Sequence, residues 1–301
     1  MSDPAALLKK HNTDPVEVFR QRMMDRRAGR VGPPPKLPKL EKPKITGKTI
    51  LVIGDSHADP DVPNHRYDWL GRFIVDLQPD IVVDIGDWGD FASLNRFDLP
   101  GSKAFEGRRY WLDIEVYIDA QERVRAQLDD YNRGRRKKYK PHLVRVLGNH
   151  EHRIVRVVEE SPRFEEFLGL HNLESAEFGW EEHPYREVVE LEGICFSHSF
   201  PSGVMGRPIG GENPAAMLLK KQFHSAVAGH SHLLDYCERN DAVGKKVQTL
   251  FAGCYFGHQL EWAGPVINQM YARGLVVLRN VVNGTFDFEW IGIDRIQARY
   301  S

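Results

Sequence analysis

The sequence predicts an α/β protein in which mixed sheets are covered by helices, and three observations lead there. In the first half of the body, apolar runs of strand length alternate with helix-period segments, the pattern of parallel β-α-β units. In the second half, paired apolar runs meet at turn residues, the pattern of hairpins. Short clusters of Asp, Asn and His follow several of these runs, where an open sheet presents its strand ends.

Length and composition suit one main domain with attachments: 301 residues, 41% apolar and 28% charged. No apolar run approaches the roughly 18 residues that span a bilayer, and no secretory stretch opens the chain, so a cytoplasmic protein with no membrane partner is expected. Cys195, Cys237 and Cys254 form no C-x-x-C pair, which argues against a disulfide framework and a structural zinc site.

The net charge of −1 conceals an asymmetry, because residues 1 to 48 carry 12 Lys/Arg against 5 Asp/Glu. Seven of the 18 prolines lie there too, and "GPPPKLPKLEKPK" (Gly32 to Lys44) can form neither a helix nor an inner strand. Residues 1 to 48 therefore read as a basic, Pro-rich arm. Asp14, Pro15, Val16, Phe19 and Met23 predict a short helix ahead of the linker.

The body, 49 to 301, opens with the strand "TILVIGD", a helix near Tyr67 to Leu77, and the strand "DIVVDIGD". A helical, basic insert is expected at about 101 to 140. Its long helix runs from about Arg108 to Asn132, with Trp111, Ile114, Ile118, Val124, Leu128 and Tyr131 as its apolar stripe. The helix gives way to "RGRRKKYK" (Arg133 to Lys140), where six of eight residues are basic. Such a run suits a helix C-terminus and a solvated loop, and it would equally suit a phosphate backbone. "PHLVRVLGN" is the next strand, and hairpins follow in "REVVELEGICFSHS", in Tyr236 to Glu238 with "KKVQTLFAG", and in "GLVVLRNVVNGTFDFEWI" turning at Asn283-Gly284.

Five clusters sit at strand ends: "GDSH" (Gly54 to His57), "GDWGD" (Gly86 to Asp90), "GNHEH" (Gly148 to His152), His198, and "GHSH" (Gly229 to His232). Singly, each is more often a surface accident or a satisfied core histidine than a ligand. Gathered on one rim, two Asp, one Asn and four His describe a metal site, and the preceding glycines let the backbone turn sharply and leave room for ions.

These residues resemble the calcineurin-like metallophosphoesterases, whose pattern D-x-H, G-D-x-x-D, G-N-H-[D/E], H and G-H-x-H is present over about residues 49 to 260. The resemblance implies a four-layer α-β-β-α sandwich of two mixed sheets flanked by helices. It implies one metal held by Asp55, His57 and His232, another by Asn149, His198 and His230, and Asp87 bridging them. It also implies that His150 faces the substrate as a catalytic group and that Asp90 orients it. The mixed imidazole and oxygen ligands suit two divalent transition-metal ions, manganese first, with iron, zinc or nickel as alternatives. Glu151 is expected to support the loop and cap the next helix, and His152 to lie on the surface.

Asn213 and Pro214 predict a helix start, and Gly210, Gly211 and Asn213 are candidates for contact with a substrate phosphate. This segment, with "CYFGHQLEW", is similar to calcineurin-like enzymes encoded by bacteriophages. The chain lacks the arginine of the phosphoprotein phosphatase motif G-D-x-V-D-R-G, and it has Trp88 and Glu151 where the nuclease branch reads G-D-[L/I]-x-D and G-N-H-D. The basic segments favour a phosphodiesterase acting on nucleic acid or nucleotides, with a phosphomonoesterase as the alternative and a non-catalytic binding module as the third reading.

Overall fold

The structure is a computed structural model that describes residues 47–98 and 101–301, together with six positions between 20 and 29. The short helix and Pro-rich linker expected in the arm lie almost wholly outside the described residues. No described helix is long and apolar enough to cross a membrane.

Six strands form the first sheet, in the order β11-β10-β1-β2-β3-β4. Here β1 (Lys48–Ile53), β2 (Ile81–Asp84), β3 (His142–Val146) and β4 (Trp180–His183) run parallel. The antiparallel pair β10 (Gly274–Val282) and β11 (Thr285–Gly292) extends the sheet beyond β1. Five strands form the second sheet, ordered β5-β6-β7-β9-β8. Its parallel centre is β6 (Ile194–Ser197), β7 (Ala226–Ala228) and β9 (Lys246–Ala252), flanked by antiparallel β5 (Val189–Leu191) and β8 (Leu234–Asn240).

The layers follow from which faces are apolar. Ile50, Val52, Val83 and Val146 of the first sheet pack with Ile194, Phe196, Val227 and Leu250 of the second, making the core between the sheets. The other face of the first sheet, with Leu51, Ile53 and Val82, is covered by α1 (His65–Leu77), α2 (Tyr110–Asn132) and α6 (Ile293–Tyr300). The outer face of the second sheet, with Ala226, Ala228 and Phe251, receives α4 (Pro214–Gln222) through Ala215 and Leu218. Two mixed sheets flanked by helices, in four layers, is therefore the fold. Two short helices complete it, α3 (His152–Glu160) and α5 (Gly264–Met270).

Several expectations are corrected. The buried stripe of α2 is Asp113, Tyr117, Ala120, Gln121, Val124 and Leu128, while Trp111 is exposed. Two polar residues enter that stripe because they find partners: Asp113 accepts from Ser93, and Gln121 donates to the Leu173 carbonyl at 2.8 Å. The α2 helix is thus part of the covering layer, packed into the core with α1. Strand β4, "WEEH", and helix α6 were not foreseen, the first because a short polar edge strand carries no apolar alternation. All three cysteines are free, with Cys254 buried and Cys195 and Cys237 half-buried.

Candidate metal centre

Every strand that delivers a cluster runs parallel to its cluster-bearing neighbours within its sheet, so all five clusters arrive at one rim. The rim is also where the sheets are joined. Asp55 forms a bridge with Cys254, the Tyr255 N–H donates to the Asp55 carbonyl at 2.7 Å, and His198 Nδ1 lies 2.9 Å from the Ile85 carbonyl.

Two groups of candidate ligand atoms converge there, beside a third, His57, Asp90 and His150, that shares His57 with the first. Asp55, His57 and His232 make one, with its atoms within 4.8 Å of one another, and Asp87, His198 and His230 make the other by the same measure. Asn149 joins the second group, its Oδ1 lying 3.0 Å from His198 Nε2. Asp87 belongs to the second group, with Oδ2 3.4 Å from His198 Nε2, and His150 Nε2 is 3.7 Å from the same oxygen. A cavity of about 370 Å³ is lined by His57, Asp87, Asn149, His150, His230 and His232, together with Ser231, Trp262, Ile267 and Tyr271.

The donor atoms fit divalent cations, and the hydrogen-bond pattern says why. His57 Nδ1 pairs with Asp90 Oδ1 at 2.9 Å, so Nε2 presents its lone pair, and that atom is buried with no partner. Asp55 Oδ2 is likewise buried and unpartnered, for it lies 2.9 Å from His232 Nε2 without the alignment of a hydrogen bond. In the second group, His198 Nδ1 donates to the Ile85 carbonyl, so Nε2 turns a lone pair toward the Asn149 and Asp87 oxygens and His230 Nδ1, 3.3 Å away. Lone pairs facing lone pairs in a buried site are the arrangement that a cation resolves.

The electrostatics divide: burial opposes charge on His198, but the Asp87 and Asp55 carboxylates together raise it. Burial, then the neighbouring His198, pushes His230 down to about 4, leaving the neutral ring that can ligate. Burial and His150 lower His57 as well. Burial works to raise Asp55, but His232 and the other imidazoles hold it below the usual carboxylate range.

Local backbone is bent to the task. His57, Asp87, His230 and His232 all have positive φ, at 44°, 54°, 68° and 57°, a region that side chains with a Cβ disfavour. The glycines beside them make room for ligands. A Cβ on Gly148 would sit 2.0 Å from Asp87 Oδ1, and one on Gly229 would sit 2.6 Å from Asp55 Oδ1.

Around the centre, Asp90 and Arg153 converge on His150. The Asp90 carboxylate binds His57 and lies 3.2 Å from His150 Nδ1, while its backbone carbonyl accepts from that same nitrogen at 2.6 Å. Arg153, not anticipated from sequence, donates to the Asp90 carbonyl at 2.8 Å and lies 3.1 Å from His150 Nε2. Its only sequence signal is its place three residues after His150. Burial opposes a charged His150, but the Asp87 and Asp90 carboxylates together outweigh it and raise the group, with Arg153 pulling the other way.

Glu151 is fully buried and accepts from the backbone N–H groups of Asp87, Gly89 and Gly148 at 2.9–3.1 Å. It thus supports the loops, but its side chain makes no cap to α3. Burial and the Asp87 carboxylate push it up to about 7. His152 is half-buried, its ring 5.1 Å from that of Tyr185.

Gly210, Gly211 and Asn213 are exposed and are not among the residues lining the cavity. Asn213 makes no side-chain cap. Instead, Asp235 of β8 accepts from the Ala215 N–H at 2.8 Å, so the anion at this helix start is the protein's own.

No protein-family model matches the chain, and no curated protein matches its sequence. Among solved structures it is similar to TT1561 of Thermus thermophilus, at 10% identity and a TM-score of 0.33, over 82% of this chain and 100% of that one. It is also similar to YfcE, a phosphoesterase from E. coli, at 13% identity and a TM-score of 0.33, over 81% and 99% of the two chains. At these values the chemistry of neither protein is carried over to this chain.

Proposed function

We propose that the protein is a metal-dependent phosphoesterase, most simply a phosphodiesterase acting on nucleic acid or nucleotides. The observation that carries this reading is the pair of three-residue ligand groups on one cavity, with buried Asp55 Oδ2 and His57 Nε2 left without partners. Two divalent ions bound there would supply charge stabilisation to a phosphoryl group and a water acidic enough to attack at neutral pH. Asp87 would be the carboxylate shared by both ions, and Asn149 would ligate without adding negative charge where an anionic ester must approach. His150 faces the cavity, held by Asp90 and Arg153, where it stabilises charge on the ester or returns a proton to the leaving oxygen.

The nucleic-acid part of the reading is supported by the exposed run Arg133 to Lys140. Arg125, Arg133, Lys138 and Lys140 line a groove of about 540 Å³ over Leu143 and Phe178. That groove meets the start of β3, whereas Asn149 follows its end, so the run serves binding and not chemistry.

The test is hydrolysis of bis(p-nitrophenyl) phosphate and of p-nitrophenyl phosphate by the manganese-loaded protein. Faster turnover of the diester is expected. Preference for the monoester would move the reading to a phosphomonoesterase, and inertness toward both would leave a binding module.

A further inference from the structure

The lining of the cavity is of two chemical kinds. One is the candidate ligand set and His150, and the other is Trp262, Ile267 and Tyr271. Tyr271 is committed to the centre, its ring edge-on to His232 with centroids 4.6 Å apart. Trp262 and Ile267 touch no ligand ring in this way, and Trp262 is 76% exposed.

That exposure is built in. Asn268 is buried and clamps the segment, its Oδ1 accepting from the Leu260 N–H at 2.9 Å and its Nδ2 donating to the carbonyls of Leu260 and Gly264 at 2.8 Å. Leu260 and Ala263 anchor it by packing with Cys254 and Phe256. A segment so fixed holds Trp262, Val266, Ile267 and Met270 toward solvent, against the burial preference of all four.

We propose that Trp262 and Ile267 form the subsite for the organic half of the ester, and that this half carries a nucleobase; the inference rests on the phosphoesterase reading. The occupant must join an anion to an apolar group within one cavity of about 370 Å³. A nucleotide unit does so, with its phosphate at the ligand set and its base flat on the indole. Stacking on an aromatic side chain needs no particular base and no hydrogen-bond partner, and Trp262 offers an open ring on a segment that Asn268 clamps.

Two diesters with the same leaving group decide the matter: thymidine 5′-(p-nitrophenyl phosphate) and methyl p-nitrophenyl phosphate. The manganese-loaded wild type should prefer the nucleoside ester in kcat/KM by roughly ten- to hundredfold, the worth of one stacked base. Trp262→Ala should bring that ratio to within a few-fold of one, and Trp262→Phe should keep most of it. Adenosine 5′-monophosphate should quench tryptophan fluorescence of the wild type more than inorganic phosphate does, and the difference should vanish in Trp262→Ala. A wild-type ratio near one, or a ratio unmoved by Trp262→Ala, overturns the subsite. So does a Trp262→Ala protein whose only change is a smaller assembly on size-exclusion chromatography, since the patch would then face a second copy. If neither ester is hydrolysed, the phosphoesterase reading falls, and the fluorescence difference alone decides for or against the subsite.

Discussion

Asp84 and Arg145 stand opposite each other on β2 and β3 and form an ion pair at 2.6 Å with neither side chain exposed to solvent. The guanidinium lies between Trp88 and Trp180, 4.6 and 4.4 Å from their ring centres, and also donates to Gln121 and Ser175. Asp84 Oδ1 in turn accepts from the Gly86 N–H at 3.1 Å, where the loop carrying Asp87 begins. Removing one partner leaves the other charge buried and alone, so Arg145→Ala should cost about 3–5 kcal/mol of stability. Arg145→Lys should recover only part of this, because an ammonium can neither reach Asp84, Gln121 and Ser175 together nor lie against an indole face as a planar guanidinium does. Denaturant unfolding of the three proteins checks both statements.

Two equivalents of a transition metal should bind per chain, and Asp87→Asn should lose both metal and hydrolysis. Metal analysis after dialysis against manganese is the measurement. Retention of two full equivalents by the variant would show that Asp87 is not shared. Chelation should lower the melting temperature of the wild type as well, since ions that bind only the folded state stabilise it.

His150→Ala should keep its metals and lose roughly 10²- to 10⁴-fold in turnover, the range of a general acid or base. Asp90→Asn should behave differently, because its carboxylate also holds His57 Nδ1. A partial loss of metal, with a smaller loss of turnover than in His150→Ala, is the expected result.

Asp113 offers a pH test away from the metals. Burial pushes it up to about 6, and it accepts from Ser93. A carboxyl raised in the folded state favours folding fully below its unfolded value, about 3.9, and loses that advantage as pH rises through its folded value. Asp113→Asn should therefore gain stability relative to wild type between pH 4 and pH 8, by about 1–3 kcal/mol. Thermal melts across that range would contradict this if the difference between the two proteins stayed constant.

Nucleic-acid binding, if it uses the basic run, should weaken steeply with salt. Replacing Arg136, Lys137 and Lys140 with Gln should flatten the slope of log affinity against log salt by about 0.7–0.9 per lost phosphate contact. Turnover of methyl p-nitrophenyl phosphate serves as the control and should stay as in the wild type. Coincident slopes would mean that the run is a solvated loop.

The clusters that converge on the rim were legible because each follows an apolar strand and most open on a glycine, a local pattern that survives without tertiary knowledge. The hairpins were legible for the same reason, Asn283 and Gly284 both taking the positive φ that a tight hairpin turn demands. What escaped was set by distant partners. Asn213 is the expected cap by type, yet a carboxylate 22 residues along the chain supplies the contact. Trp111 fits the apolar period of α2, but Asp113 and Gln121 are buried in its place because other segments satisfy them. Arg145 sits in the middle of a strand pattern where a charge suggests exposure, and only the two indoles and Asp84 explain its burial. Trp262 had no role to suggest until the cavity brought it together with the candidate ligand residues.

The positive φ angles of His57, Asp87, His230 and His232 have a bearing on the life of the protein beyond its chemistry. Each such angle costs on the order of 1 kcal/mol, so the chain without ions carries several kcal/mol that glycines at those four places would spare it. Occupied sites offset that deficit and empty ones do not. On the metal-dependent reading, the abundance of the protein should then follow the supply of metal, with starved chains unfolding and being degraded first.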